Sequence, residues 1–197
     1  MEVISDQDAP HRLSVSGIFE LPFGPGKALF ANSGSAVSKI VGGWQVQGVY
    51  VLQSGFPINF GTDGTYQRNG NILMYGDMRD AVLPSDEQTV ERWFDVDAGF
   101  EKNSKAQLDR NVRSFPLRWS FLRGHAWSNY DLSVIKNTDI REGKQLQFRA
   151  EFLNAFNHPN FAAPTGNAIN PANATFGQVT STANYARRIQ LGLKFLF

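Results

Sequence analysis

The chain has no cysteine, which removes disulfides, thiolate metal sites and thiol nucleophiles at once. Charge is scarce as well: Asp, Glu, Lys and Arg make up 19% of the 197 residues, and the formal net charge is +1. The two signs are interspersed, so neither a polyanion-binding surface nor an acidic tail is written into the chain, and nucleic acid is not an expected partner. Long apolar runs are missing too. Stretches such as residues 49–52 fall far short of the roughly 18 residues that a membrane-spanning helix needs, which excludes a helical membrane protein. Residues 1–10 carry Glu2, Asp6 and Asp8 and no apolar stretch, unlike a secretory signal peptide, so any export signal is expected elsewhere. What the chain does have is 18 Gly, 16 Phe and 13% aromatic residues, a composition that favours strands and turns over helical bundles.

Period-two alternation is the dominant pattern, and it is clearest in residues 187–197 (RRIQLGLKFLF). Ile189, Leu191, Leu193, Phe195 and Phe197 fall on one face and Arg188, Gln190, Gly192 and Lys194 on the other, with Leu196 the exception. The length suits a tilted transmembrane strand of about 9 to 11 residues. Four further segments alternate in the same way. Residues 11–21 place Leu13, Val15, Phe19 and Leu21 against Arg12, Ser14, Ser16 and Glu20, although Ile18 breaks the polar side. Residues 42–60 read as one long strand opening with Trp44, Val46, Gly48, Tyr50 and Leu52. Residues 127–136 and 145–156 form a hairpin through the polar segment 139–144 (DIREGK), whose Gly143 suits a tight turn.

Short and long connections take turns along this order. Residues 21–42 carry the turn signals Pro22, Gly24, Pro25 and Gly26; residues 61–126 show no sustained period; and residues 157–185 form a second long connection. In outer-membrane barrels short turns face the periplasm and long loops face outward. If residue 197 ends in the periplasm, strand directions alternate without adjustment and put both long connections outside.

The chain closes on Gln190, Gly192, Phe195 and Phe197 at fixed spacing. This resembles the C-terminal signal by which the barrel-assembly machinery recognises outer-membrane proteins. Three further phrases, GGWQVQGVYVLQSGFPINF (42–60), NYDLSVIK (129–136) and RAEFLNAFNHPNF (149–161), are similar to the end of the TonB-dependent transporter barrel, in particular to its Oar-like, carboxypeptidase-regulatory-like-domain-containing group. The resemblance implies an all-β fold, an antiparallel transmembrane β-barrel segment with long extracellular loops. It implies about five C-terminal strands of a larger barrel of about 22 strands. The implied partners are outer-membrane lipid, the remainder of the barrel and its plug, the assembly machinery, and TonB acting through an N-terminal part. Five strands cannot close a barrel, so the chain is expected to be part of a longer wall and to move an unknown nutrient only as part of it. Two rivals stay open: a soluble β-sandwich or small ligand-binding barrel, for which alternating strands are equally natural, and a non-transporting adhesion or structural barrel.

Candidate chemistry is thin. His11, His125 and His158 are far apart in sequence and none sits at a ligand spacing, so neither metal nor cofactor is expected. Residues 24–27 (GPGK) lack the upstream glycine and following hydroxyl of a phosphate loop. Asp95 and Asp97 have no nucleophile nearby, and no Gly-x-Ser-x-Gly elbow exists, so an enzyme is not expected. Trp44, Tyr50, Trp127 and Tyr130 are candidates for the aromatic girdle at the headgroup layer. Ile189, Leu191 and Leu193 are the candidate membrane-facing residues of the last strand. Gln45, Gln47, Asp131, Arg149, Glu151, Arg188 and Lys194 would line a polar lumen. In the long loop, Asp63, Tyr66, Arg68, Asp77, Arg79 and Trp93 are candidate ligand contacts, and a merely solubilising loop has an equal claim.

Overall fold

The computed structural model describes residues 4–32, 34–61, 72–106 and 115–197. These divide into two compact units, one comprising Arg12–Leu52, Ser128–Pro159 and Tyr185–Phe197, the other Met1–His11, Gln53–Trp127 and Asn160–Asn184.

The first unit is a single five-stranded sheet, ordered as the chain runs: β1 (Arg12–Glu20), β2 (Trp44–Gln53), β3 (Trp127–Arg141), β4 (Lys144–Leu153) and β5 (Arg188–Leu196). The expected strands are all present in this meander. Register follows alternation. Leu132, Val134, Lys136 and Thr138 of β3 oppose Phe152, Ala150, Phe148 and Leu146 of β4, which in turn oppose Ile189, Leu191, Leu193 and Phe195 of β5. The other face pairs Ser133 with Glu151, Asn137 with Gln147 and Gln147 with Lys194. Among the described residues β1 and β5 are the sheet's two edges, so the sheet is open.

Strand ends differ from expectation for local reasons. β3 runs on to Arg141, leaving only Glu142 and Gly143 as the turn, with an irregularity in register between Asp139 and Arg141. Gly143 has φ of 70°, a left-handed conformation that glycine adopts at least cost. β4 stops at Leu153 rather than at 156 because Asn154 turns left-handed, at φ 51°. Its buried side chain donates to the carbonyls of His158 and Tyr185 and accepts from the His158 N–H, while its own N–H donates to Asp131. Asn tolerates this conformation, and the amide satisfies groups that a continuing strand would have paired. The connection 21–42 is also more than a turn, because it holds the helix α1 (Ser35–Val41).

The expected strand over 42–60 ends at Gln53, and its last residues belong to the second unit. A side chain at Gly55 would collide with the backbone oxygen of Gly124, so two backbones approach there as only glycine permits. Beyond that point Ile58 and Phe60 enter a core with Ile72, Met78, Ala81, Trp93, Phe94, Phe100, Phe115, Leu122 and Phe176. The ring of Phe60 lies 5.6 Å from those of Phe115 and Trp119 and 5.8 Å from that of Phe94, while Phe176 sits 5.2 Å from Phe94 and 4.9 Å from Phe100. Backbone bonds from Trp93 to Gly177 and from Val179 to Val90 tie the second long connection to the first. Two short 3-10 helices, Met78–Ala81 and Gly166–Ile169, are the only helices among the described residues of this unit. What reads as a loop without period is therefore a domain held by aromatic packing.

Phe60 is 2% exposed at the centre of those rings. Phe60→Ala should cost about 3–5 kcal/mol of the second unit's stability. Urea unfolding followed by tryptophan fluorescence, with the edge-packed Trp119 as reporter, measures this, and a loss below about 1 kcal/mol would show that the cluster is not the core of the unit.

Candidate functional site

The sheet's apolar face is one candidate surface. Gly48 of β2 packs against Leu132, and Tyr50 stacks on Tyr130 with ring centroids 4.2 Å apart, so the even-numbered residues of β2 and β3 share a face. That face continues through Phe148, Ala150 and Phe152 to Ile189, Leu191, Leu193 and Phe195. Leu191 is 67% and Leu193 70% exposed. A soluble sandwich would bury these side chains under a second sheet; the described residues contain one sheet, with its greasy side uncovered. Phe195 and Phe197 stack at 6.0 Å at the end of β5.

The expected signal residues of β5 divide between the faces by parity. Gln190 lies opposite Glu151, and Gly192 opposite Arg149, on the polar side. A Cβ on Gly192 would meet only the Arg149 carbonyl, at 4.0 Å. That is ordinary contact, so crowding does not explain the glycine.

The opposite face is cross-linked by amides. Gln45 donates to Glu20 at 3.1 Å, Gln147 to Asn137 at 2.9 Å and Gln145 to Asp139 at 2.9 Å, and Arg149 lies 3.4 Å from Glu151. Val49, Val51, Ile135, Leu153 and Leu196 share this face by alternation, so it is a mixed wall with a polar majority.

Three of the four girdle candidates fall on the apolar side, two of them in contact. Tyr130 stacks on Tyr50 and meets Phe156 edge-to-face at 5.1 Å, and Trp44, at the other end of β2, has the Lys136 ammonium 5.7 Å from its ring centroid. Trp127 differs from Tyr130 in parity and so falls on the polar side at the start of β3.

In the second unit the loop candidates separate. Asp63, Tyr66 and Arg68 lie outside the described residues. Asp77 caps a 3-10 helix by accepting from the Arg79 N–H at 2.9 Å, and the Arg79 guanidinium sits 5.5 Å over the ring of Phe121. Trp93 is 6% exposed and its indole N–H donates to the Arg123 carbonyl at 2.8 Å. Asp95 accepts from the Asp97 N–H and from Arg92; the backbone bond chiefly, with help from the guanidinium, holds its carboxyl below the usual aspartate range. Asp97 pairs with Lys102 at 2.5 Å. Both carboxylates thus brace turns. His125 packs between Trp93 and Phe161 at 5.8 and 5.4 Å, and among the described residues no three His, Asp or Glu side chains converge as metal ligands.

Sequence reasoning passed over Arg123. Its guanidinium donates to Asp8 through both backbone and carboxylate oxygens, at 2.7 and 2.5 Å, and to the carbonyls of Gly55 and Ser120. One side chain so pins the start of the chain to both sides of the Gly55–Gly124 approach. Beside it lies a cavity of about 580 Å³, whose lining includes Ser54, Gln88, Thr89, Trp93, Phe121 and His125. No sequence spacing announces this cavity, because its lining comes from segments brought together only by the aromatic core.

A family model described as an outer membrane beta barrel domain matches residues 3–190. No curated protein and no solved structure matches the chain. With the model covering nearly the whole sequence and an antiparallel sheet carrying one uncovered greasy face, the chain belongs to the outer membrane beta barrel domain family, and its place is the bacterial outer membrane.

Proposed function

We propose that the chain is the C-terminal wall segment of a TonB-dependent transporter that takes up a nutrient across the outer membrane. The observation that carries this reading is the folded domain built from the two long connections. A barrel that only spans and seals needs no such domain, whereas a receptor needs a structured surface to capture a solute. The similarity of residues 42–60, 129–136 and 149–161 to the end of transporter barrels supports the same reading. Strand directions then put the β2–β3 and β4–β5 connections outside and the turn at Glu142 and Gly143 in the periplasm.

In this proposal the wall contributes no catalytic step and holds no cofactor. Further strands continue it beyond β1 and close it on β5, a plug fills the lumen, and the amides and charges of the inner face hydrate or hold that plug. Solute would bind the outer domain and the plug, and force transmitted by TonB would displace the plug. Assembly would begin at β5, where Gln190, Gly192, Phe195 and Phe197 address the insertion machinery.

Two experiments test the two halves of this reading. Removing the rings with Phe195→Ala and Phe197→Ala together should cut the amount of heat-modifiable, folded barrel in outer-membrane fractions at least several-fold, while Leu196→Ala should not. Equal insertion of both variants would sink the assembly role. For transport, the polypeptide bearing Phe197 is solubilised from native outer membranes and passed over an immobilised periplasmic domain of TonB. Retention is expected; a closed barrel that flows through unretained favours an adhesion or structural barrel instead.

A further inference from the structure

The β1–β2 connection presents apolar side chains away from the protein. In α1, Val37 and Ile40 are exposed, Ile40 by 70%, while the intervening Ser38 is half-buried. Just upstream, Leu29 and Phe30 are exposed by half or more, and Phe30 holds φ at 60°, a conformation unfavourable to a bulky residue, with its ring 6.1 Å from Phe23. Val41 is half-buried with Ser38, and Lys39 is exposed with Val37 and Ile40, so the outward side of α1 joins apolar side chains to one cation.

The patch is continuous with the apolar face of the sheet. The Trp44 indole N–H donates to the Ile40 carbonyl at 3.0 Å, the C-terminal end of α1, and Trp44 belongs to the same face as Tyr50 and Leu132. Lys136, on that face too, donates to the Gly42 carbonyl and lies over the Trp44 ring. Lys39 projects from α1 and is exposed. Together with Lys136 it lines a recess of about 360 Å³ that also includes Ser38, Thr138 and Asp139, whose carboxylate accepts from Gln145 at 2.9 Å. Lys27 does not join them, because Glu20 holds it at 2.7 Å. Apolar side chains beside a tryptophan and two lysines, at the rim of a lipid-facing sheet, match the interfacial layer of a bilayer, where hydrocarbon gives way to phosphate.

We propose that this connection is a lipid-interface foot. Leu29, Phe30, Val37 and Ile40 enter the phospholipid leaflet on the tight-turn side of the wall, and Lys39 meets the lipid phosphates. The inference rests on the proposed strand direction, which makes this leaflet the periplasmic one.

The absence of native cysteine lets single nitroxide-labelled cysteines report one site each. In isolated outer membranes holding the full chain, labels at Val37→Cys and Ile40→Cys should collide readily with oxygen, which concentrates in lipid. They should meet a water-soluble nickel chelate several-fold less often than a label at Glu142→Cys in the neighbouring turn. Chelate access equal to that at Glu142 overturns the foot. Shielding from both relaxants also overturns it, because a protein surface then covers the helix. A label at Leu193→Cys is the wall control: lipid exposure there with a water-exposed Ile40 rejects the foot alone, whereas water exposure at Leu193 rejects the wall assignment and the foot with it. On intact cells, a polymer-linked maleimide too large for porins should leave Glu142→Cys unmodified; modification reverses the strand direction and overturns the choice of leaflet. Adding Lys39→Glu should raise chelate access at Ile40 several-fold in vesicles containing phosphatidylglycerol, and no change would remove Lys39 from the phosphate contact.

Discussion

Hydrocarbon offers no hydrogen-bond partner, and this one constraint governs the sheet. Every backbone N–H and C=O that enters lipid must be paired with another strand, and each one left unpaired costs several kcal/mol. β4 meets the condition on both sides, bonded to β3 and β5 over nearly its whole length. Once that ladder is set, parity decides which side chains meet lipid. A slip of one residue would exchange Phe148 and Phe152 for Arg149 and Glu151, and a cation at the bilayer midplane costs about 2–4 kcal/mol. The same constraint makes the edges of β1 and β5 untenable in lipid without neighbours, and the proposed function supplies those neighbours as further strands.

The second unit is ordered by a different means. Its backbone is mostly irregular, so its order comes from burying Phe60, Phe94, Phe100, Phe115 and Phe176 against one another, and from side chains that satisfy backbone groups no ladder can reach. Arg123 serves three separate segments in this way, and the indole of Trp93 caps the Arg123 carbonyl. One chain therefore carries two patterns: greasy side chains outward on one face of the sheet, and inward in the unit built from the long connections.

Legibility in the sequence followed this division. All five strands could be seen, because strict alternation is what a two-faced wall requires and few other structures need it over ten residues. The tight turn was visible in Gly143. Strand ends were not, since they depend on distant partners: β4 ends where the Asn154 amide finds Asp131, His158 and Tyr185, and β2 ends where Gly55 meets Gly124. Residues 61–126 looked formless because aromatic packing without repeat leaves no period to read. Their phenylalanines and tryptophans were the available signal, and Trp93 in particular reads as an exposed contact while sitting in the core. The short helix α1 was lost among prolines and glycines.

The central claim is that one face of this sheet meets hydrocarbon and the other a polar interior. It is tested most directly by a residue-by-residue nitroxide scan along β4 in native outer membranes, recording oxygen against nickel-chelate collisions. The account predicts an oscillation of period two, with oxygen maxima at Leu146, Phe148, Ala150 and Phe152 and minima at Gln147, Arg149 and Glu151. A flat profile, or maxima at the odd-numbered positions, would contradict it.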